Sequence, residues 1–60
     1  MQKADWLTRT NPYRQAYMWD AYREGARAWW TDTMPEYRGN TRERAAFMRG
    51  WTAAAKDWPR

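Results

Sequence analysis

Apolar side chains recur at helical spacing in two separate stretches of the chain. The first stripe has intervals of four, three and four residues: Met18, Tyr22, Gly25 and Trp29. The second stripe has the same intervals: Phe47, Trp51, Ala54 and Trp58. Residues at such intervals share one face of an α-helix. The pattern therefore predicts two amphipathic helices, each with one apolar face.

The first helix has a recognisable start and end. Asn11 followed by Pro12 predicts a capped beginning, because a proline at the first helical position sacrifices no hydrogen bond. Pro35 and Gly39 interrupt helical continuity further on and indicate a connecting loop. We therefore expect the first helix over residues 12–30.

The second helix is bounded in the same way. Asn40, with Glu43 three residues later, forms a variant of the capping box that begins many helices. Pro59 stops the helix at the other end. We therefore expect the second helix over residues 41–58.

The two predicted stripes can bury each other, so the expected fold is all-α: a small antiparallel two-helix hairpin. Gly25 and Gly50 lie on or beside the stripes, where a mid-helix glycine costs about 1 kcal/mol relative to alanine. Close crossing of the helices explains them better than backbone approach to a ligand does. Residues 1–10 are expected to form an irregular N-terminal arm before a single domain over residues 11–60, although Trp6 and Leu7 are able to dock on the helices.

Composition supports a helical chain and excludes several classes of enzyme. The 60 residues include ten alanines but no valine or isoleucine and only one leucine, so strand formers are few. Histidine, serine and cysteine are absent, which removes the usual base and nucleophiles of triad hydrolases. Without cysteine there is no disulfide or thiolate metal site, and no cofactor is expected. We expect neither a signal peptide nor a membrane-spanning segment, and we expect a cytoplasmic protein.

The charge balance favours an anionic partner. The formal net charge is +4, with nine arginines and two lysines among the cations. A small, arginine-rich basic domain is typical of nucleic-acid binding, because guanidinium groups bind phosphates bidentately and stack on bases. The alternative is a basic surface that serves only solubility.

Helical geometry groups the candidate phosphate contacts. Arg23 and Arg27 are four residues apart on the first helix, and a line spaced by seven residues follows the second helix. Together with Arg38 and Arg44, these residues are expected to form a continuous basic surface. Its candidate residues are Arg23, Arg27, Arg38, Arg42, Arg44, Arg49 and Lys56. In the alternative reading, these arginines pair with Asp20, Glu24 and Glu43 in an ordinary solvated face.

The aromatic residues outnumber what two helices can bury. Eleven rings are present, and Trp19 and Trp30 lie off the stripe of the first helix. Tyr37 stands beside Arg38 in the loop, and such a pair suits stacking on unpaired RNA bases. The alternative is that these rings close the ends of a small core or form a homodimer surface.

Two segments resemble the ribosome modulation factor family of small bacterial proteins. They are "AYREG", residues 21–25, and "RAAFMRGW", residues 44–51, with Pro35 ten residues after the glycine of the first and Ala54 three residues after the tryptophan of the second. The resemblance covers residues 21–57. Met34, Ala28 and Glu36 depart from the family pattern, and the loop is about two residues longer.

The resemblance implies a two-helix protein that binds ribosomal RNA on the small ribosomal subunit. It would occlude the messenger-binding region and favour inactive ribosomes, without making or breaking a bond. Arg44 is the contact implied by motif position, and Tyr37 is the expected stacking ring.

Two other classes of function stay open. Relatives of this family have been linked to ATP-dependent drug modification, but the chain has no phosphate-binding GxxxxGK[ST] loop and no recognisable magnesium cluster among Asp20, Glu24, Asp32 and Glu36. The third class is a small protein-binding module, for example an inhibitor from a mobile element, because tryptophan, tyrosine and arginine dominate interface hot spots.

Overall fold

Three helices make up this computed structural model, which describes residues 2–37 and 39–60. They are α1, Lys3–Thr10; α2, Ala16–Trp30; and α3, Thr41–Asp57. No strand occurs among the described residues, so the all-α prediction is confirmed. The prediction of only two helices is wrong. Within the same ranges, no helix is long and apolar enough to cross a membrane.

The N-terminal segment is a helix and not an irregular arm. An isolated eight-residue helix is marginal in water, so tertiary contacts must stabilise α1. Trp6 supplies them, because the residue is only 1% exposed. The centroid of its ring lies 5.6 Å from that of Trp30 and 6.5 Å from that of Trp58. Its indole N–H donates to Asp57 at 2.7 Å. Trp6 and Leu7 are both buried, so their predicted docking is confirmed.

Helix α2 begins four residues later than predicted, because Asn11 uses its side chain differently. Its Oδ1 accepts the Tyr13 N–H at 3.0 Å, and its amide donates to the Trp19 carbonyl at 3.1 Å. Asn11 therefore organises a turn that joins α1 to α2. The residue that caps α2 is Gln15, whose side chain makes no capping hydrogen bond.

The end of α2 is closed by a left-handed residue. Asp32 has φ 55°, and the Thr33 N–H donates to the Ala28 carbonyl at 2.9 Å, which is the Schellman arrangement. Arg60 reinforces it: its guanidinium lies 3.9 Å over the Trp29 ring, donates to the Trp29 carbonyl at 2.9 Å and pairs with Asp32 at 3.0 Å. The final residue of the chain thus holds the end of α2.

Helix α3 follows its sequence prediction closely. Asn40 Oδ1 accepts the Glu43 N–H at 2.9 Å, which confirms Asn40 as the N-cap. The helix ends at Asp57, one residue before the predicted end, and the Trp58 N–H donates to the Ala54 carbonyl at 2.7 Å.

Helices α2 and α3 cross at the two predicted glycines. A methyl group on Gly25 would overlap the Phe47 carbonyl oxygen and lie 2.7 Å from its carbonyl carbon. A methyl group on Gly50 would overlap the Tyr22 carbonyl oxygen in the same way, 2.8 Å from its carbon. Each glycine therefore lets the backbone of the other helix approach, and the packing role predicted for them is confirmed.

The crossing is not that of an antiparallel hairpin, in which the end of α2 would lie beside the start of α3. Instead, the ends of both helices meet. The Trp29 indole N–H donates to the Trp58 carbonyl at 2.8 Å, and the rings of Trp30 and Trp58 are 6.0 Å apart. The physical reason is Trp6, which fills the space between the two ends and joins them in one aromatic cluster.

The predicted stripes differ in how deeply they are buried. Five of their members and neighbours are buried: Tyr22, Gly25, Phe47, Gly50 and Ala54. Four are half-buried: Met18, Trp29, Trp51 and Trp58. The apolar stripes do not include four further buried residues: Ala21, Ala26, Ala28 and Ala46.

Candidate nucleic-acid interface

One exposed face of α3 carries cations and no carboxylate. We call it the outer face; its residues, all exposed, are Thr41, Arg42, Arg44, Ala45, Met48, Arg49, Thr52 and Lys56. The two acids of α3 point elsewhere. Glu43 lies against Gly39, with a carboxylate oxygen 3.0 Å from where a Cβ would be, and Asp57 accepts the Trp6 indole. Positive charge is therefore concentrated on this face.

The cations of the outer face have no ion-pair partner. Among residues 2–37 and 39–60, no salt bridge involves a cation of the outer face; the pairs formed by Arg23 and Arg60 lie elsewhere. No charge on the outer face is neutralised within the described part of the chain, so these side chains can bind an external anion without first breaking an internal pair. The alternative prediction, pairing of Glu43 with neighbouring arginines, does not occur there.

The outer face has two basic edges. Arg42, Arg49 and Lys56 follow one edge, and at 1.5 Å per residue their line is about 21 Å long. Arg44 lies on the other edge, about 120–160° away around the helix at roughly 100° per residue. Ala45, Met48 and Thr52 lie between the edges. The face is thus a strip of small and apolar residues with cations on both sides.

The basic residues of α2 lie on a different side of the molecule. Arg23 and Arg27 are each about 160° from Gly25 around the helix, so they point away from α3. Arg23 is also engaged, 3.9 Å from Asp20 and 3.7 Å from Glu24. One continuous basic surface is therefore not formed. The ion-pairing alternative applies to Arg23, where such exposed pairs contribute little stability.

Tyr37 is engaged within the protein. Its ring centroid lies 4.8 Å from that of Phe47, with 33° between the planes. Burial raises the pKa of its phenol above the usual 10.0, and the negative charges of Glu43, Glu24 and Asp20 raise this pKa further. Phe47 packs on the ring, and the carboxylates make its surroundings negative, which is unfavourable for a phosphate-rich ligand. Arg38, the predicted partner of Tyr37, lies outside the described residues.

The other off-stripe rings also have internal partners. Trp30 packs on Trp6 at 5.6 Å, and Trp19 lies 5.9 Å beneath the Arg23 guanidinium. In the part of the chain that the structure describes, Tyr17 is the only exposed aromatic residue, at 44%. Trp30 therefore follows the alternative prediction, closing one end of the small core.

A second surface feature is an apolar groove beside Arg44, with a volume of about 190 Å³. It is lined by Met34, Pro35, Glu36, Tyr37, Arg44, Phe47 and Met48. Met34 and Met48 are 54% and 42% exposed. The apolar periodicity of the sequence does not indicate this groove, because the loop that forms one wall has no periodicity. Its available signal was Met48, an apolar residue off the stripe of α3.

Known proteins give no further information on the site. No protein-family model matches the chain, and neither the curated proteins nor the solved structures include a match. The resemblance to the ribosome modulation factor family stays a hypothesis that rests on the motifs quoted above. Among the described residues, no group of three or more acidic, histidine or cysteine side chains is arranged to hold a metal ion.

Proposed function

We propose that this protein binds ribosomal RNA on the small ribosomal subunit and lowers translation by occluding its surface, thereby favouring inactive ribosomes. The observation that carries the proposal is the outer face of α3, with four exposed and unpaired cations and no carboxylate. The motif resemblance adds the ribosome as the source of the RNA. Arg44 belongs both to this face and to the quoted motif.

The physical basis is neutralisation of phosphate. Each contact between a cation and a phosphate releases counterions from the RNA, so affinity depends steeply on salt concentration. Three of the four cations are arginines, which bind phosphate through two parallel hydrogen bonds. Because the side chains are unpaired in the free protein, their binding energy is not spent on replacing internal ion pairs.

Binding to purified bacterial small subunits at different salt concentrations tests the proposal. Four phosphate contacts should give a slope of about 2.8 to 3.6 in log affinity against log salt, at roughly 0.7 to 0.9 per contact. Arg49→Gln should weaken binding and reduce the slope by about 0.7 to 0.9, which is the contribution of one contact. Arg14→Gln is the matched control, because Arg14 is exposed, lies outside α3 and changes the net charge equally.

The control separates a defined interface from general charge. Equal losses in the two variants would mean that only net charge matters. Absence of binding at about 50 mM salt, where electrostatic attraction is little screened, would rule out the ribosome proposal. A translation extract supplies the functional readout: the wild type should slow initiation, and Arg49→Gln should slow it less.

A protein-binding function is the second candidate, favoured by the groove beside Arg44. Two exposed methionines line it, and flexible, polarisable methionine side chains suit adaptable protein contacts. Met48→Gln would then abolish partner binding, and the affinity would depend little on salt. For the RNA function we expect the opposite, a steep salt dependence with a small effect of Met48→Gln.

A further inference from the structure

We propose that the outer face of α3 recognises double-helical RNA and lies across a groove, with phosphates of both strands against its two edges. This inference rests on the proposed function and deepens it by naming the form of RNA. It departs from the expectation from sequence, in which aromatic rings stack on the bases of a single strand.

The first argument is the division of charge between two edges. Arg44 lies on one edge of the outer face, and Arg42, Arg49 and Lys56 lie on the other, about 120–160° away around the helix. One flexible strand can follow the long edge but would have to wrap around the helix to reach Arg44 as well. A double helix presents two rows of phosphates with a groove between them, and such a pair matches two basic edges.

The second argument concerns the residues that lie between the two basic edges of the outer face. Ala45 and Thr52 are small, so the helix can approach another surface closely there. Between them, Met48 offers a flexible apolar side chain that is 42% exposed. The minor groove of A-form RNA is wide and shallow and is recognised mainly by shape, 2′-hydroxyl groups and phosphates. A low central strip lets α3 lie on this groove while the longer cations reach its rims.

The third argument is where the aromatic rings lie. Recognition of single strands relies on rings that stack on successive bases. Here Trp6, Trp30 and Trp58 pack on one another, and the ring of Tyr37 packs on Phe47. No aromatic residue belongs to the outer face. The face therefore has means of binding phosphates but none of the usual means of holding an unpaired base.

The test compares a 20-base-pair RNA duplex with one of its strands, using the full chain. Four contacts on the duplex should give a salt slope of about 3.6, and three on the single strand about 2.1. We expect the duplex to bind at least roughly tenfold tighter at low salt, since one charge-assisted contact is worth about this factor.

Variants on the two edges make the test specific. Arg44→Gln should reduce the duplex slope by about 0.9 and leave single-strand binding unchanged, whereas Arg49→Gln should weaken both. Ala45→Phe adds bulk to the middle without changing charge and should weaken duplex binding at least tenfold while leaving single-strand binding intact. Helix content by circular dichroism should be the same in all variants.

The outcomes distinguish this inference from the proposed function. Equal or tighter binding of the single strand, or equal effects of Arg44→Gln on both RNAs, would overturn the double-helical form and leave RNA binding standing. Failure to bind either RNA at low salt would overturn both. The inference is supported if the duplex binds more tightly than the single strand, Arg44→Gln weakens binding of the duplex alone, and Arg49→Gln weakens binding of both RNAs.

Discussion

The phenol of Tyr37 shows how a single residue can be redirected by its neighbours. In the sequence it stands in a polar loop beside an arginine. In the structure it stacks on Phe47, and burial together with nearby carboxylates raises its pKa. A side chain expected to face RNA therefore belongs to the wall of the groove beside Arg44.

This raised pKa predicts a loss of stability at alkaline pH. The phenol in the unfolded chain ionises near pH 10, and in the folded chain at higher pH. Neutral Tyr37 therefore stabilises the fold below about pH 10, and this contribution is lost as pH rises through the folded pKa. In urea unfolding between about pH 8 and 11, the wild type should lose more stability than Tyr37→Phe. Parallel losses in the two proteins would contradict the prediction.

Asp32 is the second residue whose environment predicts a measurable effect. A non-glycine residue in the left-handed region costs about 1–2 kcal/mol. The exposed ion pair with Arg60 offsets little of this conformational cost. Asp32→Gly should therefore raise the free energy of unfolding by about 0.5–1 kcal/mol. Asp32→Asn removes only the charge and should change it by less than about 0.5 kcal/mol. A destabilised glycine variant would show that the Arg60 pair dominates.

At the scale of elements, the crossing of α2 and α3 depends on two positions without side chains. Gly50 contacts the Tyr22 backbone, and Gly25 contacts the Phe47 backbone. Both clashes would be with the main chain, which cannot rotate away as a side chain can. The crossing is therefore intolerant of even one methyl group.

Gly50→Ala should accordingly destabilise the fold, although alanine is the better helix former. The gain in propensity is about 1 kcal/mol, and overpacking in a tight core costs about 1–3 kcal/mol or more. Since the overlap is with backbone, we expect a net loss of about 2 kcal/mol. Lys56→Gln, an exposed change on the same helix, is the control. Equal thermal midpoints for the two variants would refute close packing.

At the scale of the whole molecule, α1 is part of the core. A 60-residue domain buries only about 60% of the surface of its unfolded chain and has little stability to spare. Trp6 and Leu7 are both buried in the main cluster. Loss of α1 therefore removes two of the five buried residues of this cluster.

Deletion of residues 2–10 should abolish cooperative unfolding. Removal of one buried tryptophan costs about 3–5 kcal/mol, which is comparable to the whole stability expected of so small a domain. Thermal melts followed by near-ultraviolet circular dichroism would report the loss, and Trp6→Ala should have nearly the same effect. An unchanged midpoint in the shortened chain would show that α1 is dispensable for the stability of the fold and would contradict this prediction.

The sequence by itself determined what depends on neighbours along the chain. The period of apolar residues defines α2 and α3, and the Asn40 cap sets the start of α3 to the residue. Glycines in the middle of these stripes predict where the helices cross. Each of these features depends on residues within about one turn of one another, so local rules suffice to find them.

Only the tertiary structure decided what depends on distant partners. Helix α1 is too short to be stable alone and forms because Trp6 reaches Asp57, fifty-one residues away. The ring of Trp6 also packs on Trp30 and Trp58, so that it lies between the ends of α2 and α3. Because α2 and α3 pack on each other, their exposed faces lie on different sides of the molecule. The basic residues of the two helices are therefore separated. Local periodicity places residues around one helix, but only packing decides which sides of two helices become one surface.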